Sequence, residues 1–240
     1  MLPVIHIPYI GEVFTYPMVL GIALAFLFTN VSTINSELNI LSKKRLLFFF
    51  LVIVVSSYIG AKVLFHLSSA QYDSDQPFYN YWVSGGLVFY GGYISGFLTA
   101  FLLLKFYKYK TTVFLPFLPY VIFAHAIGRI GCFLSGCCFG KTCPISFLER
   151  WPVQLIESIF LFILGFFIKY QVKKGNRYPF LKYVSIYAIF RLGVEFLRGD
   201  KIRGVWYFSL STSQVVSIVL IILTAVFYLK ESFSTKSSET

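Results

Sequence analysis

Long apolar stretches separated by short polar connections run through this sequence from end to end. Crossing the hydrocarbon core of a bilayer takes about 20 helical residues, and seven stretches approach or reach that length. They cover residues 13–30, 47–67, 86–104, 112–131, 152–170, 179–197 and 211–229. The pattern predicts an all-α membrane protein, a bundle of about seven transmembrane helices within a single domain over residues 1–231. The polar residues 232–240 are expected to form a disordered tail.

Composition agrees with a membrane class of protein. Hydrophobic residues make up 57% of the chain, charged residues only 13%, and the mean hydropathy is +0.74, whereas soluble domains carry about 25% charged residues. Residues 1–8 contain two prolines and no basic residue, so we expect no cleavable signal peptide and a retained first span. The net charge of +11 sits in clusters between apolar stretches, which favours contact with anionic membrane lipids over nucleic acid.

The positions of lysine and arginine predict the orientation of the spans. Basic residues concentrate in alternate connections and after the last span: Lys43, Lys44 and Arg45; Lys105, Lys108 and Lys110; Lys169, Lys173, Lys174 and Arg177; Lys230 and Lys236. Because short cytoplasmic loops are enriched in Lys and Arg, these connections and the C-terminus are expected in the cytoplasm. The N-terminus and the loops 68–85, 132–151 and 198–210 are then expected on the outer side.

Several ionisable residues lie inside the apolar stretches, where a central Arg or Lys costs about 2.5–3.5 kcal/mol. Arg191, Glu195 and Arg198 are spaced i, i+4 and i+7, which places them on one helix face. Glu195 can pair with either arginine, which leaves one guanidinium partly free. A partly free arginine near the outer surface is a good receptor for phosphate, because its planar guanidinium matches phosphate oxygens. The alternative interpretation is an interhelical salt-bridge network that only fixes packing.

The fourth stretch carries a second ionisable pair. His125 lies one turn before Arg129, on the same helix face, and Glu157 of the next stretch is a candidate counter-charge for Arg129. A single histidine in this setting is more often a packing residue than a catalyst. Lys62, in the second stretch, can either snorkel to the surface or join the same pocket.

Glycine pairs bracket an aromatic residue at the start of the third stretch. Gly85 and Gly86 precede Tyr90, and Gly91 and Gly92 follow it. Paired glycines permit irregular backbone beside a membrane cavity, and Tyr90 would then face that cavity. The plainer interpretation of Tyr90 is an interfacial aromatic anchor.

All four cysteines fall in one loop predicted on the outer side, with the spacing C-x4-C-C-x4-C from Cys132 to Cys143. Three interpretations remain open: structural disulfides, thiol–disulfide chemistry with a quinone, and a metal site. The spacing departs from the C-x2-C pairs typical of zinc and redox motifs, which disfavours a metal. Four cysteines allow three complete pairings, and sequence does not choose among them.

Segments in a defined order carry a resemblance to a known family: Tyr58-Ile-Gly-Ala-Lys62, Ser84-Gly-Gly-Leu-Val-Phe-Tyr-Gly-Gly92, Gly128-Arg-Ile-Gly-Cys-Phe-Leu-Ser-Gly136, Trp151-Pro-Val-Gln-Leu-Ile-Glu157, Tyr187-Ala-Ile-Phe-Arg191 through Glu195 and Arg198, and Ser213-Gln214. They resemble the motifs of bacterial prolipoprotein diacylglyceryl transferases, which include GG-x3-HGG, GR-x-GN-F-x-NG, HP-x-QLYE and Y-x2-FR-x3-EF-x-R. These enzymes of the cytoplasmic membrane move the diacylglyceryl group of phosphatidylglycerol onto a lipobox cysteine.

The chain departs from these motifs at several positions: Lys62 replaces Arg, Tyr90 and Trp151 replace His, Cys132 and Ser135 replace Asn, Cys137 replaces a Glu, and Ile156 replaces Tyr. The arginines and the glutamates of the fifth and sixth stretches are retained. The resemblance therefore keeps the residues that would handle phosphate and alters those that would prepare an acceptor.

The resemblance implies a transferase active at the outer side of a bacterial cytoplasmic membrane. It uses phosphatidylglycerol as donor, a prolipoprotein signal peptide or another acceptor, and neither cofactor nor metal. The implied catalytic residues are Arg129, Arg191, Tyr90, His125, Cys132 and Cys137. The implied substrate-binding residues are Arg129, Arg191, Glu195, Arg198, Glu157, Lys62, Gly91, Gly92, Ser135 and Gln154. A sharper hypothesis makes Cys132 or Cys137 the nucleophile of a covalent lipid intermediate.

Three alternatives stay open at this point. A diverged family member would use a different lipid or acceptor. A membrane thiol–disulfide oxidoreductase would use the cysteines of residues 132–143, although it leaves the buried arginines unexplained. A non-catalytic protein would bind phosphatidylglycerol without releasing glycerol phosphate. A transporter is disfavoured, because the charges gather toward one side instead of the midplane.

Overall fold

The computed structural model describes residues 4–7, 11–68, 87–144, 149–199 and 210–237. Within these residues, two short strands and seven α-helices follow one another: β1 (Val4–Ile7), β2 (Gly11–Phe14), α1 (Thr15–Leu38), α2 (Lys43–Ser68), α3 (Phe89–Phe106), α4 (Leu118–Ser135), α5 (Val153–Lys173), α6 (Pro179–Val194) and α7 (Thr212–Ser237). A 3-10 helix, Thr111–Phe117, leads into α4, and a 3-10 turn, Glu195–Leu197, continues α6. The prediction of an all-α membrane fold is confirmed, apart from one small hairpin.

That hairpin precedes the first helix and was not predicted. β1 and β2 pair antiparallel, with Val4 opposite Phe14 and Ile7 opposite Gly11. Each strand has only four residues, too few for an alternating pattern to stand out from sequence. Residues 69–86, which include Gly85, Gly86 and nearly all of the predicted outer loop 68–85, lie outside the described residues. Their predicted roles remain predictions.

Six of the helical segments are long and apolar enough to cross a membrane: Thr15–Leu38, Lys43–Leu67, Phe89–Phe106, Thr111–Ser135, Val153–Lys173 and Thr212–Lys230. The remaining predicted span, residues 179–197, forms α6 and its 3-10 turn. With 16 residues, α6 measures about 24 Å, less than the hydrocarbon core of about 30 Å. It also carries Lys182 and Arg191, so its polar contacts have to be satisfied inside the protein.

The first and last helices extend beyond their predicted ends. In α1 the hydroxyls of Thr29 and Thr33 donate to the carbonyls of Ala25 and Thr29, at 2.9 Å each. These bonds satisfy polar side chains within the helix, so α1 continues to Leu38. The last helix, α7, continues to Ser237, because extending an existing helix adds one backbone bond per ordered residue.

The surface of α5 shows how a membrane helix divides its two faces. Ile159, Ile163 and Phe166 are exposed by 61–64%, whereas the polar Glu157 and Ser158 are buried. A water-soluble helix would turn its polar residues outward. The reversed arrangement, apolar outside and charged inside, fits contact with lipid.

The chain forms two compact units. Among described residues, the first unit contains those up to Leu24 and those from Leu118 onward, and the second contains Ala25–Phe117. In the first unit α4 packs along α5, and α6 packs along α5 and α7. The ring of Phe160 stacks on that of Phe190, with centroids 3.7 Å apart, and the bare Gly165 accommodates the ring of Phe123.

In the second unit, small residues bring α2 and α3 together. A Cβ atom on Gly91 would overlap the carbonyl oxygen of Gly60, and one on Gly92 would lie 2.9 Å from the Ser57 oxygen. The Ser95 hydroxyl donates to the Ser56 carbonyl at 3.0 Å. Gly91 and Gly92 thus lie within a regular helix and permit close helix packing, whereas irregular backbone was predicted there. Periodicity alone does not distinguish these two uses of glycine.

Candidate functional site

Five charged residues of the first unit form an alternating chain of ion pairs. Arg129 Nη2 lies 2.9 Å from Glu157 Oε1, and Arg191 Nη1 lies 3.4 Å from Glu157 Oε2. Arg191 Nη2 contacts Glu195 Oε2 at 2.8 Å, and Arg198 Nη1 lies 3.5 Å from the same oxygen. The chain joins α4, α5 and the end of α6. All five side chains are at most 9% exposed. The predicted pairing of Arg129 with Glu157 is confirmed, whereas Glu195 pairs with both arginines and not with only one of them.

The α-helical backbone of α6 ends before Arg198, the last residue of the ion-pair chain. Glu195 begins the 3-10 turn, and Arg198 has extended backbone angles, φ −73° and ψ 140°. Arg198 therefore does not continue the α-helical face predicted from the i+7 spacing. It reaches Glu195 as an i, i+3 partner, because the 3-10 turn tightens the end of α6.

Side chains on one face of α5 hold α4 and the loop after it in place. Gln154, Glu157 and Ser158 are spaced i, i+3 and i+4, so they lie on the same face. The Ser158 hydroxyl donates to the Ala126 carbonyl at 2.9 Å, which ties α5 to α4. Gln154 Nε2 donates to the Cys137 carbonyl at 2.6 Å and so fixes the loop after α4. Gln154, predicted to bind substrate, holds this loop.

Two hydroxyl groups that the sequence analysis did not assign to the site contact the ion-pair chain. The Tyr187 hydroxyl donates to Glu157 Oε1 at 2.8 Å, and Arg191 Nη2 lies 3.4 Å from Ser213 Oγ. Tyr187 precedes Arg191 by four residues and therefore shares its helix face, a signal that could have identified it. His125 packs edge-on against the Tyr187 ring, with centroids 5.4 Å apart.

Short backbone pairings position Arg198 beside the loop. Gly140 and Arg198 form an antiparallel bridge, and Thr142 pairs in the same way with Arg150. A Cβ atom on Gly140 would lie 2.5 Å from the Trp151 oxygen, so only glycine allows this close approach of backbones. The loop after α4 is therefore held on both sides by hydrogen-bonded backbone.

Three thiols meet at the end of α4. The Gly136 N–H donates to the Phe133 carbonyl at 3.2 Å, and the Cys137 N–H donates to the Cys132 carbonyl at 3.1 Å. Together with the positive φ of Gly136, 76°, this is a Schellman motif. It ends the helix and folds Cys137 back over Cys132. The Sγ atoms of Cys132, Cys137 and Cys138 all lie within 4.8 Å of one another.

All four cysteines are free thiols in the structure. Backbone pairing and the Schellman motif, not disulfides, hold the loop, although structural disulfides were the favoured prediction. Ser135, predicted to bind substrate, directs its hydroxyl to the Cys132 carbonyl at 3.2 Å and lies 3.4 Å from Cys137 Sγ. Cys138, which the sequence did not single out, belongs to the cluster.

Cys138 occupies an unusual backbone and electrostatic position. Its φ of 59° lies in the left-handed region, which costs a non-glycine residue about 1–2 kcal/mol. Hydrogen bonds with the Cys132 and Cys137 thiols lower the pKa of Cys138, and the charges of Arg129 and Arg198 lower it further. The pKa of Cys137 is raised: its hydrogen bond with Cys132 favours ionisation, but its hydrogen bond with Cys138 and its burial outweigh that effect.

A narrow crevice, too tight in this structure to admit a water molecule, lies between the ion pairs and Cys138. Its lining consists of Arg129, Cys138, Val153, Gln154, Glu157, Arg191 and Arg198. Arginines outnumber carboxylates in this lining, so the crevice carries excess positive charge. Preorganised guanidinium groups in surroundings of low dielectric stabilise an anion more strongly than they would in water. The three guanidinium groups have the charge and the planar donor geometry to contact a phosphate and to stabilise negative charge that develops on it.

The remaining predicted site residues lie in the second unit. Tyr90 is 2% exposed and Lys62 1% exposed, so the buried Lys62 does not snorkel to the surface. The Lys62 ammonium stands over the Tyr58 ring, 5.8 Å from its centroid. Tyr90, Gly91 and Gly92 lie in the first turn of α3. Substrate contacts for these four residues remain predictions.

The sequence of this chain matches a known protein family. The sequence profile of prolipoprotein diacylglyceryl transferases matches residues 5–230. A protein of Clostridium tetani named phosphatidylglycerol–prolipoprotein diacylglyceryl transferase is 33% identical over 186 residues, 71% of this chain and 74% of the relative. A Clostridium perfringens protein of the same name, numbered 2, is 32% identical over 70% of this chain and 72% of its own length. A Leptospira interrogans relative with that name is 28% identical over 63% of this chain and 61% of its own. The profile match spans nearly all of the chain, and the chain belongs to the prolipoprotein diacylglyceryl transferase family.

Proposed function

We propose that this protein transfers the diacylglyceryl group of phosphatidylglycerol to the cysteine thiol of a prolipoprotein and releases glycerol phosphate. The family match and the names of the relatives support the reaction. The observation that carries it is the crevice in which three arginines are fixed by two buried glutamates. A phosphodiester monoanion is the part of phosphatidylglycerol that such a crevice is suited to hold.

In the reaction, the acceptor sulfur attacks the glyceryl carbon next to the phosphate. An S–C bond forms, the C–O bond to phosphate breaks, and its electron pair leaves with glycerol phosphate. Negative charge on the leaving group rises as that bond breaks. Arg129, Arg191 and Arg198 would stabilise it, usually the largest single contribution to catalysis.

The glutamates act by positioning the arginines. Glu157 uses both oxygens, one toward Arg129 and one toward Arg191, so the two guanidinium groups keep a fixed separation. Glu195 holds Arg191 and Arg198 through a single oxygen, Oε2. Fixed donors need little reorganisation when the leaving group becomes charged.

We propose roles for two further residues that were predicted to be catalytic. His125 packs beside Tyr187 in the first unit, and we propose that it assists in activating the acceptor thiol. Tyr90 stands where the resembled family has a histidine, and a phenol is a poor base at neutral pH because its ordinary pKa is about 10. We propose that Tyr90 positions the donor. An unchanged turnover in Tyr90→Phe would exclude a role for its hydroxyl.

The deciding experiment measures glycerol phosphate release from headgroup-labelled phosphatidylglycerol. Purified protein would be incubated with a lipobox peptide or with the same peptide carrying serine in place of cysteine. We expect release with the cysteine peptide only. Arg129→Ala should reduce it by about 100-fold or more, as loss of one preorganised donor does elsewhere. Arg150→Ala is the matched control, since Arg150 is an exposed arginine of the same unit that stacks on Phe139.

The same assay separates the alternatives. A non-catalytic lipid-binding protein would retain labelled phosphatidylglycerol and release nothing. An oxidoreductase would oxidise its thiols in the presence of a quinone and would not depend on the donor lipid. A diverged transferase would release glycerol phosphate with an acceptor other than the lipobox peptide.

We also propose that the crevice faces the outer side of a bacterial cytoplasmic membrane. The basic clusters at the α1–α2, α3–α4 and α5–α6 connections support a cytoplasmic position for those ends. In spheroplasts, a membrane-impermeant maleimide should label Cys143 of a variant with the other three cysteines changed to serine. It should not label Lys108→Cys made in a background without other cysteines. Labelling in the reverse pattern would invert the proposed orientation.

A further inference from the structure

We propose that the thiols of Cys132, Cys137 and Cys138 bind a thiophilic divalent cation such as Zn²⁺, whose fourth coordination position takes the acceptor thiol. This inference rests on the proposed transferase function and names how the acceptor is activated. It accounts for the departure at Tyr90, where the resembled family has a histidine as its candidate for thiol activation.

The distances among the thiols fit such a site. Zinc–sulfur bonds are about 2.3 Å long and tetrahedral, which places bound sulfurs about 3.8 Å apart. The three Sγ atoms already lie within 4.8 Å of one another, so small rotations about the side-chain bonds would complete the geometry. Three protein ligands with an open fourth position are typical of catalytic zinc, whereas structural sites use four.

The backbone is arranged to hold these thiols together. The Schellman motif at Gly136 returns Cys137 to Cys132, and Cys138, which follows in left-handed backbone, has its thiol in the same cluster. Gln154 fixes the Cys137 carbonyl at 2.6 Å. A strained residue in a pinned loop beside a crevice is typical of a functional site. The metal would supply a further bond to each member of the cluster.

The surroundings fit deprotonated thiols. Ser135 Oγ lies 3.4 Å from Cys137 Sγ, where its hydroxyl can donate to a thiolate, as second-shell groups do around metals. Cys138 lines the crevice together with Arg129 and Arg198, whose positive charges favour anionic sulfur. Because Zn²⁺ carries two positive charges, three zinc-bound thiolates add no more net negative charge than one free thiolate.

The location also explains how the acceptor would meet the donor. Cys137 is exposed, so the cluster is open to an incoming peptide, while Cys138 borders the arginines proposed to bind phosphate. Binding of the acceptor thiol to the cation releases its proton to solvent. The bound sulfur then attacks the glyceryl carbon, and glycerol phosphate leaves with the electrons of the C–O bond. The product thioether is a weaker ligand and departs.

The chemistry disfavours the hypothesis that Cys132 or Cys137 forms a covalent lipid intermediate. Attack by a protein thiol would produce a thioether, which has no good leaving group and would end the catalytic cycle after one turn. A crevice that presents phosphatidylglycerol to sulfur has to keep its own thiols from reacting. The pinned loop does this, because it keeps the three protein sulfurs within the cluster while the sulfur of the acceptor peptide approaches the glyceryl carbon.

Cobalt binding tests the site without relying on activity. Protein reduced and stripped with a chelator would be titrated with Co²⁺, whose thiolate complexes absorb visible light when tetrahedral. We expect one equivalent to bind and Zn²⁺ to displace it, because zinc binds such ligands more tightly. Adding the cysteine lipobox peptide should change the spectrum, and the serine peptide should not.

Variants identify the ligands. Cys137→Ser and Cys138→Ser should each weaken cobalt binding by at least about tenfold, whereas Cys143→Ser should bind as the unchanged protein does. Cys143 is the matched control because it lies in the same loop and outside the three-thiol cluster. The two peptide spectra use the unchanged protein, so they test the site even where a variant fails to fold.

Several results would overturn the proposal. These are no thiolate spectrum from fully reduced protein, an equal spectrum after substitution of the cluster, or a spectrum insensitive to the cysteine peptide. Chelation should lower glycerol phosphate release by about 100-fold or more, with recovery on adding one equivalent of Zn²⁺. Full release from metal-free protein would remove the cation from the reaction and leave the transferase function standing. Cobalt binding without any release of glycerol phosphate would leave the cation site standing and contradict the transferase function.

Discussion

Glu157 Oε1 lies 2.9 Å from Arg129 Nη2 and joins the end of α4 to the first turns of α5. The pair is the start of a chain of charges that runs to Arg198, all of it buried in the first unit. A buried carboxylate between two guanidinium groups is more than a packing device here, because the same arginines line the crevice.

Removing Glu157 should therefore affect both stability and activity. Glu157→Ala leaves Arg129 and Arg191 buried without their common partner, which typically costs about 3–5 kcal/mol. Thermal unfolding in detergent should show a clearly lowered Tm, and glycerol phosphate release should be lost. Glu157→Gln keeps the shape of the side chain, so its Tm and its release of glycerol phosphate should lie between those of Glu157→Ala and the unchanged protein. Glu149→Gln, at an exposed position, is the control, and a Tm of Glu157→Ala equal to that of the control would contradict the role given to the pair.

Tyr187→Phe isolates one hydrogen bond of the site. The substitution removes the hydroxyl that donates to Glu157 Oε1 at 2.8 Å and leaves the ring against His125. Hydrogen bonds to charged groups contribute about 1.5–3 kcal/mol, so we expect a smaller loss of stability than in Glu157→Ala and a reduced rate of release. Tyr170→Phe, on the exposed face of α5, should change neither quantity.

Gly136→Ala tests the turn that gathers the thiols. A side chain at φ 76° costs about 1–2 kcal/mol, and the Schellman motif should loosen. We expect a lower free energy of unfolding and weaker binding of Co²⁺. Gly128→Ala in the same helix meets open space, so it should keep or slightly raise stability by reducing the freedom of the unfolded chain. Equal stabilities of the two variants would argue against the motif.

Gly91→Ala separates packing from substrate binding in the second unit. Its Cβ atom would overlap the Gly60 carbonyl of α2, and overpacking typically costs about 1–3 kcal/mol. A lowered Tm is expected, whereas Gly21→Ala, which meets nothing nearby, should leave the Tm unchanged. If the Tm of Gly91→Ala is normal and only the KM for phosphatidylglycerol rises, Gly91 binds substrate as the sequence predicted.

Much of the fold was predictable because lipid imposes simple rules on a chain. The predicted spans agree with the helices to within a few residues at most ends, since a membrane helix has to be long, apolar and internally hydrogen-bonded. The exceptions have local causes. The hydroxyls of α1 donate to carbonyls of their own helix, so α1 continues past its predicted end, and α7 continues past its apolar stretch to Ser237.

The site was predictable only in part. Arg129, Glu157, Arg191 and Glu195 stand out because buried charge is costly and needs a partner. Tyr187 and Cys138 do not stand out, because tyrosine is common in this chain and a cysteine is informative only once its neighbours are known. Gly91 and Gly92 were assigned to irregular backbone, although their use is close packing of α3 on α2.

The sequence by itself determined the membrane class, the positions of the spans and the charged residues that had to find partners. These depend on hydrophobicity and spacing, which are properties of neighbouring residues along the chain. Only the tertiary structure decided which carboxylate holds which arginine and that three of the four thiols meet. Those relationships depend on how a helix ends at Gly136 and on how closely backbones approach at Gly140, which no local pattern specifies.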